Sequence, residues 1–237
     1  MNNKLGKAAA LLRRPAFAKA ALRNGVAAAV EHLEVIRLTR AATLIDVGAN
    51  KGQFSLAFHV LRPGARIIAF EPLPTAGDTY LKLFAGEASV ELHRVAIAEE
   101  QGTAQFHITD RADSSSLLKP GDGQLRAFGV RETQSIQVDV RRMGDQIDPN
   151  TLDGPILMKI DVQGAELRVV RGCDFLERID FIYSELSYIE LYEGQALFQE
   201  FTAYLASRGF ELAGVFNQVE TREFGPTQAD FLFKRKS

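Results

Sequence analysis

Residues 43–52 read Thr43-Leu44-Ile45-Asp46-Val47-Gly48-Ala49-Asn50-Lys51-Gly52, and their order sets the fold. The first five residues form a short apolar run of the kind buried inside a parallel sheet. Gly48 and Gly52 then break the chain before a helical stretch over 53–61, which Pro63-Gly64 stops. A glycine-rich strand-to-helix turn of this kind opens the ligand crevice of an α/β sheet. Without a Cβ, Gly48 and Gly52 tolerate positive φ and let the backbone approach a ligand closely. The helix beginning near Gln53 points free N–H groups and a positive dipole end at the same crevice, a seat for a carboxylate such as a methionine α-carboxyl. Asp46, at the strand end, either accepts hydrogen bonds from the ligand's ammonium group or orders the turn.

Working outward, Arg66-Ile67-Ile68-Ala69-Phe70-Glu71 is the second strand, ended by Pro72 and Pro74. Glu71 stands 23 residues after Gly48, where an acidic side chain takes both ribose hydroxyls. Each bond to a charged acceptor is worth roughly 1.5–3 kcal/mol. The pair of features specifies a nucleoside. A nicotinamide dinucleotide needs G-x-G-x-x-G/A, and here Asn50 and Gln53 occupy the second and third glycine positions. The pyrophosphate therefore loses its seat, and Asp46 would repel it. A nicotinamide-dependent oxidoreductase stays as one alternative and a non-catalytic nucleoside-binding module as another.

From residue 43 onward β-rich runs alternate with helical ones, the order of a parallel sheet with crossover helices. Strands are expected at 90–98, 103–108, 135–140, 156–162, 181–186, 210–216 and 230–234, and helices at 75–85, up to Arg171, and at 196–207. Residues 109–131, with Ser114-Ser115-Ser116, read as an irregular loop, more often functional than idle at that length. Helices over 7–23 and 26–39 precede the first strand as a cap. The expected division is a helical cap at 1–40 and one catalytic domain at 41–237.

Composition narrows the partners. Charged residues make up 24% and the formal net charge is −2, so no global field draws nucleic acid or an anionic membrane. A small-molecule or glycan acceptor fits that balance. No apolar run reaches the roughly 18–20 residues of a membrane span. Lys4, Lys7, Arg13, Arg14, Lys19 and Arg23 precede no uninterrupted apolar core, which argues against an export signal. Cys173 is the single cysteine. With no disulfide framework or cysteine-zinc cluster, a reducing, cytoplasmic setting is expected.

The runs Leu44 to Ser55, Ala69-Phe70-Glu71-Pro72, Ser114 to Leu117, Met158 to Glu166 and Tyr183 to Ser187 resemble, in order, the FkbM-type methyltransferases. The resemblance implies a Rossmann-like class I methyltransferase fold: a mostly parallel seven-stranded sheet with an antiparallel last strand. It further implies S-adenosylmethionine as cofactor and O-methylation of a hydroxyl on a sugar, polyketide or other secondary metabolite, or of a carboxylate. Gln163 departs from the family's usual Glu, which argues against a catalytic or metal role there. The first 40 residues lie outside the resemblance.

The cofactor-binding set is accordingly Asp46, Gly48, Asn50, Gly52, Glu71, Pro72, Ala96 and Ser116. Asp161 and Glu185 end two strands that should be neighbours and are the catalytic candidates. Holding an acceptor oxygen in line can supply roughly 7–11 kcal/mol, and a base adds a factor of ~10²–10⁴. Two close carboxylates would raise one pKa or hold a divalent cation, although no metal is assigned. The alternative to a catalytic role is that Asp161 only pairs structurally with Lys159, two residues earlier on the same strand face, and Glu166 complements the dipole of the following helix. Tyr188 and Tyr192 are placed in the acceptor wall. Among the histidines only His107, nearest the irregular loop, is a candidate base; His32, His59 and His93 are assigned core or surface roles.

Overall fold

The structure, a computed structural model, describes residues 14–236. Helix α1 (Pro15–Asn24) begins on Pro15, whose missing N–H costs nothing at a helix start, and ends on Gly25 at φ 67°. Residues 26–29 are not helical, against the expectation of one helix from 26 to 39. The Ala29 N–H instead donates to the Gln53 carbonyl (3.1 Å), tying this segment to the helix after the first strand. A 3₁₀ turn (Val30–His32) then leads into α2 (Leu33–Thr39). The part of the expected first helix over 7–13, with Lys4, Lys7 and Arg13, lies outside the described residues.

Next come β1 (Thr43–Val47), α3 (Gln53–Leu61), β2 (Arg66–Phe70), α4 (Pro74–Leu83) and β3 (Val90–His93). The strand expected over 90–98 is broken at Arg94-Val95. Its second half, β4 (Ala96–Ile97), joins another sheet with β5 (Gly102–Thr109) and β6 (Glu132–Arg141), in the order β4-β6-β5. One chain cannot serve two sheets without a bend. The expected loop at 109–131 contains a 3₁₀ turn (Ala112–Ser114) and a helix, α5 (Asp122–Phe128), closed by Gly129 at φ 72°. With only two large apolar residues in seven, that helix is too short to show a period.

The chain continues through β7 (Ile156–Ile160), α6 (Glu166–Arg171), β8 (Phe181–Ser187), α7 (Phe198–Ser207), β9 (Phe210–Thr221) and β10 (Gly225–Arg235). The last two strands are longer than expected because they form one hairpin. The main sheet has seven strands in the order β3-β2-β1-β7-β8-β10-β9, and β10 runs antiparallel to both its neighbours. This is the mostly parallel sheet with an antiparallel last strand that the resemblance implied.

Apolar side chains cover both faces. One cluster joins Ile45, Val47 and Ile160 to Phe201, Phe231 and Phe233; the other joins Leu44, Phe58 and Leu157 to Phe17 and Ile36 of the N-terminal helices. The N-terminal segment therefore shares the core of the sheet. From β1 the chain winds outward to β3, then returns to β7 on the other side. The tips of β1, β2 and β7 line a crevice at this switch point, where α/β sheets take their ligands. Among the described residues no helix is long and apolar enough to cross a membrane.

Candidate active site

The crevice is a cavity of about 660 Å³, within the usual size range of small-molecule sites. At its first-strand end Gly48 has φ 76°, and a Cβ there would stand 1.9 Å from the Asp161 carbonyl oxygen. Only glycine lets β1 leave the sheet this close to β7. Gly48 and Ala49 N–H groups donate to the Phe70 carbonyl (3.0 Å each), and Asn50 follows at φ 49°. This turn delivers the Asn50 N–H to Glu71 Oε2 (2.8 Å), while Glu71 Oε1 accepts the Leu73 N–H (2.8 Å). Glu71 is buried yet lines the crevice. Burial pushes its pKa up to about 7, against the pull of the two N–H donors and Lys159.

Gly48, Asn50, Glu71, Pro72 and Ala96 all line the cavity. Asp46 does not: it is fully buried, accepting the Ser55 hydroxyl at 2.6 Å and pairing with Lys159 Nζ at 3.2 Å. Of its two expected roles the structure puts it in the second, ordering the turn. Gly52 faces away as well. A Cβ there would meet Phe84, Tyr80 and Leu83, so this glycine lets α3 pack on α4 and does not approach a ligand. Ser116 is likewise off the crevice, its hydroxyl donating to the Val162 carbonyl (3.0 Å) and accepting the Leu118 N–H (3.0 Å). Its neighbours Ser114 and Ser115 line the cavity instead.

Asp161 and Glu185 do converge at the other end. Gln163, at φ 58°, donates its amide to Asp161 Oδ1 (2.7 Å) and faces Glu185 Oε2 at 3.2 Å. The residue discounted as a departure from the family pattern thus bridges the two carboxyl groups. Burial, then the charges of Asp161 and Asp230, raise the Glu185 pKa well above the ordinary value, so its carboxyl favours the protonated, hydrogen-bond-donating form. Lys159 lies between the two halves, donating to the Gly48 carbonyl (2.8 Å), 3.2 Å from Asp46 and 3.7 Å from Asp161. Burial disfavours its charge, but Asp46 and Asp161 outweigh that and raise its pKa. Glu166 is buried, its Oε1 accepting N–H groups of Gly164 (2.9 Å) and Val162 (3.3 Å). It shapes the turn after β7 as well as heading a helix, and burial pushes its pKa up to about 7.

Neither tyrosine walls the cavity. Tyr188 packs on Phe198 and Phe231 in the core, and Tyr192 is buried behind the lining, its hydroxyl 2.9 Å from both the Ser114 carbonyl and Gln163 Oε1. His107 pairs with Glu132 across β5 and β6 and does not line the crevice.

The histidine that does is His32, brought there with Glu31 by the turn before α2. Its Nδ1 lies 2.9 Å from the Tyr183 hydroxyl and 3.4 Å from Asp230 Oδ2, which also accepts from Tyr183 (2.9 Å) and Asn217 (2.7 Å). Asp230 stands directly opposite Glu185 across β10 and β8. A charged residue inside the apolar run Ala229 to Phe233 was its sequence signal; nothing local marks His32. Among the described residues, no group of three or more His, Cys, Asp and Glu side chains is arranged to hold a metal ion.

Residues 46–212 match the family described as the methyltransferase FkbM domain. The chain is 33% identical over 181 residues to the 2-O-methyltransferase NoeI of Sinorhizobium fredii, covering 73% of this chain and 74% of that protein. It is 26% identical over 203 residues to the 31-O-demethyl-FK506 methyltransferase FkbM of Streptomyces tacrolimicus, covering 74% and 75%. A crystal structure of a candidate O-methyltransferase from Klebsiella pneumoniae superposes with a TM-score of 0.53 at 10% identity, covering 98% and 97%, a likeness of fold.

Proposed function

We propose a specific reaction for this chain, which belongs to the FkbM methyltransferase family and is an S-adenosylmethionine-dependent methyltransferase: O-methylation of a hydroxyl on a small-molecule or glycan acceptor. That membership sets aside the oxidoreductase alternative. The observation that carries the reading is the Glu71 carboxylate at the tip of β2, held by the Asn50 N–H and turned into an open crevice. It supplies an acceptor for two ribose hydroxyls. The Gly48 turn and Asn50 give the remaining cofactor contacts, with Pro72 and Ala96 as apolar wall. S-adenosylmethionine, when bound, supplies an electrophilic methyl group on a sulfonium.

At the far end, Asp161 and Glu185 meet the acceptor. Asp161 accepts a hydrogen bond from one acceptor hydroxyl and Glu185, protonated, donates to another oxygen. Orientation of this kind is the larger part of catalysis for an in-line displacement. Four carboxylic side chains, Glu31, Asp161, Glu185 and Asp230, line that end. They favour a hydroxylated acceptor and oppose a polyphosphate such as nucleic acid. The described part of the N-terminal segment and the methyltransferase domain from residue 41 act as one unit in this reading, because Ala27 to His32 form part of the cavity wall. One buried cysteine, its thiol pushed up to about 12, suits a reducing cytoplasmic setting.

The test is incorporation of labelled methyl from S-adenosylmethionine into a library of sugars, oligosaccharides and polyhydroxylated metabolites, with and without chelator. Incorporation into hydroxyl oxygen supports the assignment. Transfer confined to amines or nucleic acid would overturn it.

A further inference from the structure

We propose that His32, carried by the N-terminal segment, is the group that takes the acceptor hydroxyl's proton, with Asp230 and Tyr183 fixing its orientation. This rests on the methyl-transfer reading above. His32 and Asp230 both lie outside the matched span 46–212.

The hydrogen-bond network selects the tautomer. The Tyr183 hydroxyl has one proton, and its bond to the Asp230 carboxylate (2.9 Å) is charge-assisted and therefore favoured. The 2.9 Å contact between that hydroxyl and His32 Nδ1 then needs its proton from the imidazole. Nδ1 carries the hydrogen, facing Tyr183 and, at 3.4 Å, Asp230. The Asn217 amide, 3.3 Å from Nδ1, makes its short bond to Asp230 Oδ2 (2.7 Å), and Nε2 keeps a free lone pair that no side chain among the described residues hydrogen-bonds. A carboxylate behind Nδ1 and a bare Nε2 is the arrangement of a histidine general base. Phe54 and Tyr183 pack against the ring, with centroids at 5.4 and 5.5 Å.

Charge and geometry agree. Burial lowers the His32 pKa, against the pull of Asp230 and Glu31; Lys159 lowers it and Asp161 raises it. Tyr183 and Asn217 complete the polar groups around it. The imidazole is therefore neutral and competent near pH 7. The neighbouring carboxyl groups are less suited: Glu185 favours its protonated form, and Asp161 is engaged by Gln163 and Lys159.

The step balances. The acceptor oxygen bonds the methyl carbon as its proton passes to His32 Nε2; the sulfur–methyl bond breaks with its electron pair left on sulfur. Positive charge moves from the sulfonium to an imidazolium beside Asp230, and the proton later leaves to solvent.

The test uses the full chain labelled with ¹⁵N-histidine, the His32 signal being assigned by its loss in His32→Gln. At pH 7.5 the wild type should show Nδ1–H with Nε2 unprotonated, and in the labelled-methyl screen His32→Gln should lose ~10²–10⁴-fold in kcat. S-adenosylhomocysteine affinity should stay unchanged, and the acidic limb of the wild-type pH profile should vanish. An Nε2–H tautomer, or His32→Gln turnover within about threefold of wild type with the acidic limb intact, would overturn the role of His32 and leave methyl transfer standing. Failure of the wild type to bind S-adenosylhomocysteine would overturn both.

Discussion

The backbone N–H of Asn50 donates to the Glu71 carboxylate at 2.8 Å, joining the turn after the first strand to the tip of the second. One oxygen of Glu71 is thereby anchored to the glycine turn and the other to Leu73, so the side chain is ordered before any ligand arrives. Each oxygen keeps a lone pair for a ribose hydroxyl. Preorganisation of this kind reduces the entropy lost on binding.

The close approach of Gly48 to β7 makes it the least replaceable glycine of the turn. Gly48→Ala places a Cβ 1.9 Å from the Asp161 carbonyl oxygen at positive φ, whereas Gly64→Ala at φ 82° meets nothing within 4 Å. Gly64→Ala should cost about 1 kcal/mol, the penalty for a left-handed non-glycine residue. Gly48→Ala should cost several times that, read as the difference in denaturant midpoint between the two variants. Equal midpoints would remove the close-approach account.

Glu166 gives a pH-dependent signature. Its folded pKa is raised to about 7 by burial, so its contribution to stability is fully present below the ordinary value near 4.5 and is lost as pH rises through 7. Both N–H donors meet the single oxygen Oε1, which Glu166→Gln keeps. Glu166→Gln should therefore match the wild type in melting temperature near pH 4.5 and exceed it at pH 8. Glu166→Ala leaves two N–H groups without their acceptor, at about 1–3 kcal/mol each, and should melt lower at both pH values.

Glu185 should behave as a neutral donor. Because burial and the charges of Asp161 and Asp230 raise its pKa, Glu185→Gln should retain most methyl transfer near pH 7 and flatten any alkaline decline arising from this group. Glu185→Ala should lose at least ~10-fold in kcat/KM, the value of about one neutral hydrogen bond. A Glu185→Gln variant as impaired as Glu185→Ala would show that the carboxylate is required.

The parallel strands and the crevice at their tips were legible because β1, β2 and β7 are short apolar runs with chain-breaking glycines and prolines near their ends, whereas the antiparallel last strand was implied by the family resemblance alone. Glu71, Asp161 and Glu185 were found from strand-end position alone, a rule that survives ignorance of side-chain direction. Asp46, Gly52 and Ser116 are each adjacent in sequence to a crevice-lining residue but point into the protein, so a rotation of one residue separates wall from core. Tyr188 and Tyr192 follow the lining residue Glu185 after the chain has left the crevice, and they pack behind it. His32 was hidden differently, since its contacts with Tyr183, Asn217 and Asp230 span 151, 185 and 198 residues of chain, and no local pattern encodes them. The bend between β3 and β4 was hidden because residues 90–98 contain neither glycine nor proline to mark it.

Titrating S-adenosylhomocysteine calorimetrically into the wild type and Glu71→Ala tests the central claim most directly. The wild type should bind one equivalent, and the variant should lose affinity by at least ~10²-fold, the loss of two bonds of roughly 1.5–3 kcal/mol each to a charged acceptor. Undiminished binding by Glu71→Ala, or no heat from the wild type, would contradict the placement of the cofactor ribose at the tip of β2.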